Sequence, residues 1–374
     1  MLHAICFSHP NPLSMHLTLF VPDLLWPDID DAAAFDFAGA PALARFLFLS
    51  QATRQEMQRT DAWESRLAAI FGFSATQPPL AALRCLGQGL PVNGECLCTD
   101  PVNLDFMQQA LVLSPIPADT LSGNDTASLL ASLNEEFADE GRFVAASVQQ
   151  HVAQWTFVPA VTPCALPDLA ACSHLAGRRV DADETRELLG RDGLRWLNRI
   201  QMCLNQHPVN AAREAQGLPL INSLWPWGLG VLRDSPPARF KQVFEQSPCQ
   251  SSLLSGLCQA TQTPLSTAAE LPRTAGNTLV VDCRLTDAIA DTDLAAWQSA
   301  ISETITCWLT PALTALEDRQ HPLQSITLIS PNAHHEHRWV LDCARSKPGN
   351  FFQRCFGPTP KAPNLHDLVR SWAR

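Results

Sequence analysis

His207-Pro-Val-Asn-Ala-Ala-Arg-Glu-Ala-Gln-Gly-Leu-Pro-Leu-Ile-Asn-Ser-Leu-Trp-Pro-Trp-Gly-Leu-Gly230 is the most distinctive run in this chain of 374 residues. Asn210 and Arg213 are three apart, so one helical turn would make them neighbours. An arginine beside an amide donor suits a phosphate or a carboxylate. Asn222 follows, then Trp225 and Trp227 as flat apolar walls, with Gly228 and Gly230 permitting tight backbone turns. A structural reading competes with this one. In it His207-Pro208 caps the preceding helix, the tryptophans fill core, and Asn210 and Arg213 belong to an internal hydrogen-bond network. The tryptophans are expected in core; for Asn210 and Arg213 both readings stay open.

Working outward from that run, Asp183 to Gln206 carries an apolar stripe at helical spacing (Leu189, Leu197, Ile200, Leu204). Its acidic start, Asp181, Asp183 and Glu184, fits a helix N-terminus; Asp291 and Asp293 read the same way. Near the beginning, Leu17-Thr-Leu-Phe-Val21 is a short apolar strand stopped by Pro22. Asp23 then sits at its carboxyl end, the edge where ligands gather in open α/β sheets. Helices are expected over Pro41 to Gln51 and Ala62 to Phe71, the latter ending at Gly72. Ala110–Leu113 and Trp155–Val158 read as strands around an amphipathic helix, Asp125 to Glu140. Thr278–Val281 and Ile326–Ile329 read as strands around a helix from Asp293 to Leu316. The alternation predicts an α/β fold: a doubly wound, mostly parallel sheet with helices on both faces.

The expected organisation is discontinuous. Residues 16–88 and 177–345 would form the core and 89–176 a smaller inserted α/β domain. Residues 1–15 read as a disordered or misassigned start, with Met15 placed before the first strand, and 346–374 as an irregular tail with a short helical end. Hydrophobic residues make up 46% of the chain, enough for a large core, and the formal net charge is -11. With no dense Lys/Arg run, a nucleic-acid partner is not expected. No apolar run approaches the roughly 20 residues of a membrane helix, and no secretory signal is seen, so a cytoplasmic protein is expected. The 13 cysteines have no regular spacing and read as reduced thiols. Cys96 and Cys98 would share one face of a strand, without the second pair that zinc needs.

The His207–Gly230 run resembles the archaeal-type cofactor-independent phosphoglycerate mutases of the alkaline phosphatase superfamily, which carry a His-Pro-x-Asn…Arg…Gly…Asn…Trp/Arg-Gly-x-Gly arrangement. Val21-Pro-Asp23, Pro41–Phe46, Phe71-Gly-Phe73, Gly87–Leu90 and Leu279–Asp287 resemble other stretches of the family in the same order, over roughly residues 16–340. The resemblance implies a sheet of alkaline-phosphatase type and a chemistry built on two divalent metals and a phosphoryl-carrying serine. It also places the chain in a bacterial branch of regulatory or uncharacterised members.

Residue by residue, the family's catalytic parts are mostly replaced. Asp23 matches the first aspartate, but its glycine neighbour has become Leu24. Trp63 stands in the nucleophile slot, and Ser65 lies two positions late, about 200° around a helix. Asp287 matches a late aspartate whose partner histidine is missing. After the last strand, Ser330-Pro-Asn-Ala-His-His-Glu-His337 lacks the Asp-His pair. His335 and His337 would share a strand face and could hold one ion, while a solvated loop is the plainer reading of His334, His335 and His337. The expectation is a catalytically degenerate binding or regulatory protein with no catalytic residues, no metal ligands and no cofactor. Its ligand site would comprise His207, Asn210, Arg213, Asn222, Gly228 and Gly230 and take a small phosphorylated or carboxylate metabolite. The alternative is an active mutase or phosphatase whose rearranged site, built from Asp23, Asp287 and two late histidines, holds two ions such as Mn or Zn. A DNA-binding regulator is the third and least supported reading.

Overall fold

The computed structural model describes residues 14–343 and 365–373, apart from 29, 36–39, 58–61, 92–93, 108–109, 162–167, 176–178, 247–250, 269 and 319. The expected ragged start and most of the tail lie outside the described residues. In chain order the first elements are β1 (Met15–Phe20), α1 (Pro41–Leu49) and β2 (Gln51–Glu56). Then come α2 (Trp63–Phe71), α3 (Leu80–Gly87), β3 (Glu95–Met107), β4 (Ala110–Pro115), α4 (Gly123–Glu136), β5 (Gly141–Ala145) and β6 (Trp155–Pro159). The middle holds α5 (Cys172–Leu175), β7 (Arg179–Asp181), α6 (Ala182–Asn205), α7 (Pro208–Ala215), β8 (Ser223–Val231), β9 (Gln242–Glu245), α8 (Ser252–Ala260) and β10 (Leu265–Ser266). The last part has β11 (Gly276–Val281), α9 (Arg284–Ala290), α10 (Leu294–Thr304), α11 (Thr310–Glu317), β12 (Leu323–Pro331), β13 (His335–Asp342) and α12 (Leu365–Ala373).

The chain divides into two compact units. The first takes residues 1–57, 239–247 and 263–374. Its seven-stranded sheet runs β10-β9-β11-β1-β12-β13-β2. The strands from β10 to β12 are parallel; β13 runs antiparallel to both β12 and β2. β1 sits centrally because Leu17 and Leu19 bury completely, between the equally apolar β11 and β12. Each such side chain stabilises the fold by roughly 1.5–3 kcal/mol. The helical stretch expected from Asp293 to Leu316 is one apolar ridge, but a π-turn at Ile305–Leu309 divides it into α10 and α11. Asp293 caps α10, its carboxylate accepting from the Ala296 N–H at 2.9 Å.

The second unit takes 58–238 and 248–262. Its sheet is antiparallel, β5-β6-β3-β4-β7, with β8 laid along β3. Phe137, Phe143, Phe157 and Trp196 interlock at its centre with ring centroids 4.8–6.0 Å apart. The unit is larger than the insertion expected at 89–176. The reason is the long strand β3, whose first half pairs from Glu95 to Val102 with β8 and so fastens the His207–Gly230 run to the presumed insertion. α3 and α8 approach at two glycines: a Cβ on Gly87 would lie 1.8 Å from the Ser252 carbonyl oxygen, and one on Gly256 1.8 Å from that of Leu83. The fold class is thus α/β, with a mostly parallel central sheet and a second, antiparallel one. Among the described residues no helix is long and apolar enough to cross a membrane.

Candidate functional site

The carboxyl edge of the parallel sheet in the first unit is where family-type metals would be expected. Asp23 follows β1 in the left-handed region, φ 58°, a conformation that costs a non-glycine residue energy. Its N–H donates to the Pro331 carbonyl at 2.9 Å and its own carbonyl accepts from the Trp297 indole at 2.9 Å. Leu24, in place of a glycine, is buried and donates its N–H to the Ser330 hydroxyl at 3.1 Å. Beyond β11, Asp282 is fully buried. Arg284 grips it as a fork, Nε to Oδ1 at 2.9 Å and Nη2 to Oδ2 at 2.8 Å, with the Arg284 N–H and the Thr304 hydroxyl adding two more donors. The guanidinium thus supplies the positive charge that this carboxylate would otherwise seek from a metal. Asp287 lies on α9, where desolvation and then Asp291 raise its pKa.

Of the late histidines, His334 is exposed in the bend before β13, but the other two are not in a solvated loop. His335 and His337 belong to β13, and His337 is buried with its ring stacked on Trp339 at 5.6 Å. Burial, then His335 and Arg54, lower the His337 pKa to about 4. The two imidazole centroids are 5.8 Å apart. Among the described residues no three His, Cys, Asp or Glu side chains come together so as to hold a metal ion. The donor set of the described residues therefore does not fit the two-metal centre implied by the resemblance.

The distinctive run lies in the second unit. His207 caps the helix that follows it, α7, rather than the one before: the Val209 N–H donates to its Nδ1 at 3.2 Å, with Pro208 in the first helical turn. Asn210 donates to the Leu204 and Ile221 carbonyls, both at 2.8 Å, and accepts from the Ile221 N–H at 2.9 Å. Arg213 donates to the Pro219 carbonyl at 2.7 Å, the Thr120 carbonyl at 2.6 Å and the Thr120 hydroxyl at 3.3 Å. Desolvation lowers its pKa, partly opposed by Asp125. Asn222 exchanges two bonds with the backbone of Leu104, at 2.8 and 3.0 Å. Gly230 passes so close to Pro79 that a Cβ would stand 2.6 Å from its Cα. These side chains tie α7 and β8 to the rest of the unit, and Trp225 and Trp227 are buried.

A cavity of about 340 Å³ opens in the same unit. Ser65 of α2, Thr76 and Gln77 of the following loop, Asp168, and Trp227 and Gly228 of β8 line it. Gly228 is the one candidate of the run found there, with φ 69°. A Cβ on it would come 3.0 Å from the Cβ of Leu80. That turn lets two successive N–H groups, Gly228 and Leu229, serve the Asp168 carboxylate. The residue's outer surface is exposed, but desolvation of its carboxyl raises the pKa against the opposing pull of those two bonds. Asp168 is held beside β8 by its neighbour, since Leu169 donates to the Pro226 carbonyl at 3.2 Å. The Trp227 wall is fixed from behind: its indole N–H donates to Asp100 at 2.8 Å, and Arg84, itself 2.8 Å from Asp100, lies over the ring at 5.3 Å. Asp168, Thr76 and Gln77 carried no signal in the sequence, because only the fold brings them to β8.

No family model matches the chain, and no curated protein matches it. Among solved structures it is similar to the PH0037 protein from Pyrococcus horikoshii, with 13% identity and a TM-score of 0.49 over 88% of this chain and 87% of that one. It is also similar to the cofactor-independent phosphoglycerate mutase from Thermoplasma acidophilum DSM 1728, with 14% identity and a TM-score of 0.38 over 96% of this chain and 99% of that one. At these values neither neighbour says what this chain does.

Proposed function

We propose that the chain is a phosphoglycerate mutase-like protein that has lost phosphoryl transfer and acts as a binding protein. The observation that supports this most is the closure of Asp282. A buried carboxylate at the carboxyl edge of a parallel sheet is a natural metal ligand, yet here four donors from Arg284 and Thr304 occupy it. A divalent ion would have to expel a guanidinium already bonded to both oxygens, which opposes metal entry electrostatically and sterically. Ser65, on the wall of the cavity, has no metal cage to activate it among the described residues. Both amide N–H groups of Asn210 and three of the five N–H groups of Arg213 already serve the chain's own carbonyls and the Thr120 hydroxyl, which argues against an anion site there.

The test is turnover of 2- and 3-phosphoglycerate and of p-nitrophenyl phosphate with added manganese. The expected result is a rate equal to that of manganese alone. Turnover that disappears in Asp282→Asn would overturn the proposal.

A further inference from the structure

The cavity beside Trp227 has a composition that selects a ligand charge. Among the described residues lining it, Asp168 is the only charged one; Ser65, Thr76 and Gln77 add neutral hydrogen-bonding groups and Trp227 a flat aromatic wall. Among the described residues no lysine or arginine reaches the lining, so an anion entering would meet the Asp168 carboxylate with no described cation to offset it. The volume, about 340 Å³, lies at the small end of the range for ligand pockets.

Desolvation works against the charge of the Asp168 carboxylate, opposed by its two backbone donors, Gly228 and Leu229. A cation placed in the cavity that Asp168 and Trp227 both line would offset that penalty with an opposite charge. We propose that this cavity binds a small organic cation, an ammonium group held by Asp168 with its carbon frame against Trp227. Ser65, Thr76 and Gln77 supply hydroxyl and amide contacts that a hydroxyl-bearing amine would use. The inference rests on the proposed binding role, and the two fail separately: loss of amine binding leaves the closed Asp282 untouched, and metal-dependent turnover leaves the cavity untouched.

The experiment uses the full chain and three aromatic probes of similar size and different charge, benzylamine, benzyl alcohol and benzoate, followed by isothermal titration and tryptophan fluorescence. Benzylamine is expected to bind at least about tenfold more tightly than benzyl alcohol, and benzoate not at all. Asp168→Asn should remove the preference for the amine. Gln77→Lys, at an exposed position tolerant of substitution, should weaken benzylamine by about tenfold or more through like charge. Amine affinity in the parent chain should fall as acid protonates Asp168. Benzoate binding as tightly as benzylamine, an unchanged amine affinity in both variants, or no binding of any probe would each overturn the proposal.

Discussion

Replacing Asn210 by alanine separates a structural strut from a ligand donor. The side chain satisfies three backbone groups, the Leu204 carbonyl and both the carbonyl and N–H of Ile221. Leu204 and Ile221 are both fully buried, so none of the three can turn to bulk water. Each buried polar group left without a partner costs about 1–3 kcal/mol. Three of them, with partial relaxation, set a loss of about 3–5 kcal/mol, at the upper end of single-substitution effects. That is a large share of the roughly 5–15 kcal/mol that holds an ordinary domain. The assay is equilibrium unfolding in urea followed by tryptophan fluorescence, with Glu214→Ala, exposed on the same helix, as control. The control should stay within about 0.5 kcal/mol of the parent. A ligand donor that solvent normally satisfies could be removed almost without cost, so a loss below about 1 kcal/mol for Asn210→Ala would refute the assignment.

Other outcomes follow from the same geometry. Gly256→Ala places a Cβ 1.8 Å from the Leu83 carbonyl oxygen, which is backbone and cannot rotate aside; calorimetry should show a loss of about 3 kcal/mol or more as α3 and α8 separate. Arg284→Ala leaves Asp282 buried with only its Thr304 and backbone donors, and chemical denaturation should report a loss of about 3–5 kcal/mol. His337 has its folded-state pKa lowered to about 4 from 6.5, so its contribution is fully present above pH 6.5 and is lost as pH falls from there through 4. Thermal scans over that window should show His337→Phe, which keeps a ring against Trp339, flattening the acid limb.

The parallel strands were the most legible part of the fold. β1, β11 and β12 are short apolar runs bounded by breakers, and burial on both faces requires that pattern. β2 was illegible because Gln51–Glu56 is exposed throughout, an edge strand defined by its ladder to β13 and not by hydrophobicity. At the start of β13 the loop reading of His335 and His337 gives way to the strand reading; three histidines in four positions resemble a solvated turn, and the strand's alternation becomes informative only when Trp339 and Leu341 are seen buried. β8 was hidden by Pro226 and two glycines, residues that weaken strand propensity but here serve the close pass over Pro79 and Leu80. In the distinctive run, helical spacing correctly placed Asn210 and Arg213 on one helix, α7, while the direction of their donors depended on Thr120, Pro219 and Ile221, which spacing does not reveal. The cavity joins residues from 62 to 228 through the bridge between Leu169 and Trp227, so no local pattern announced it.

Metal stoichiometry is the most direct probe of the closed carboxylate. Untagged protein dialysed against manganese and then against metal-free buffer would be assayed by elemental mass spectrometry. With Arg284 and Thr304 filling Asp282, the retained manganese should equal that of a buffer blank. Retention of two ions per chain, lost together in Asp282→Asn, would contradict the account.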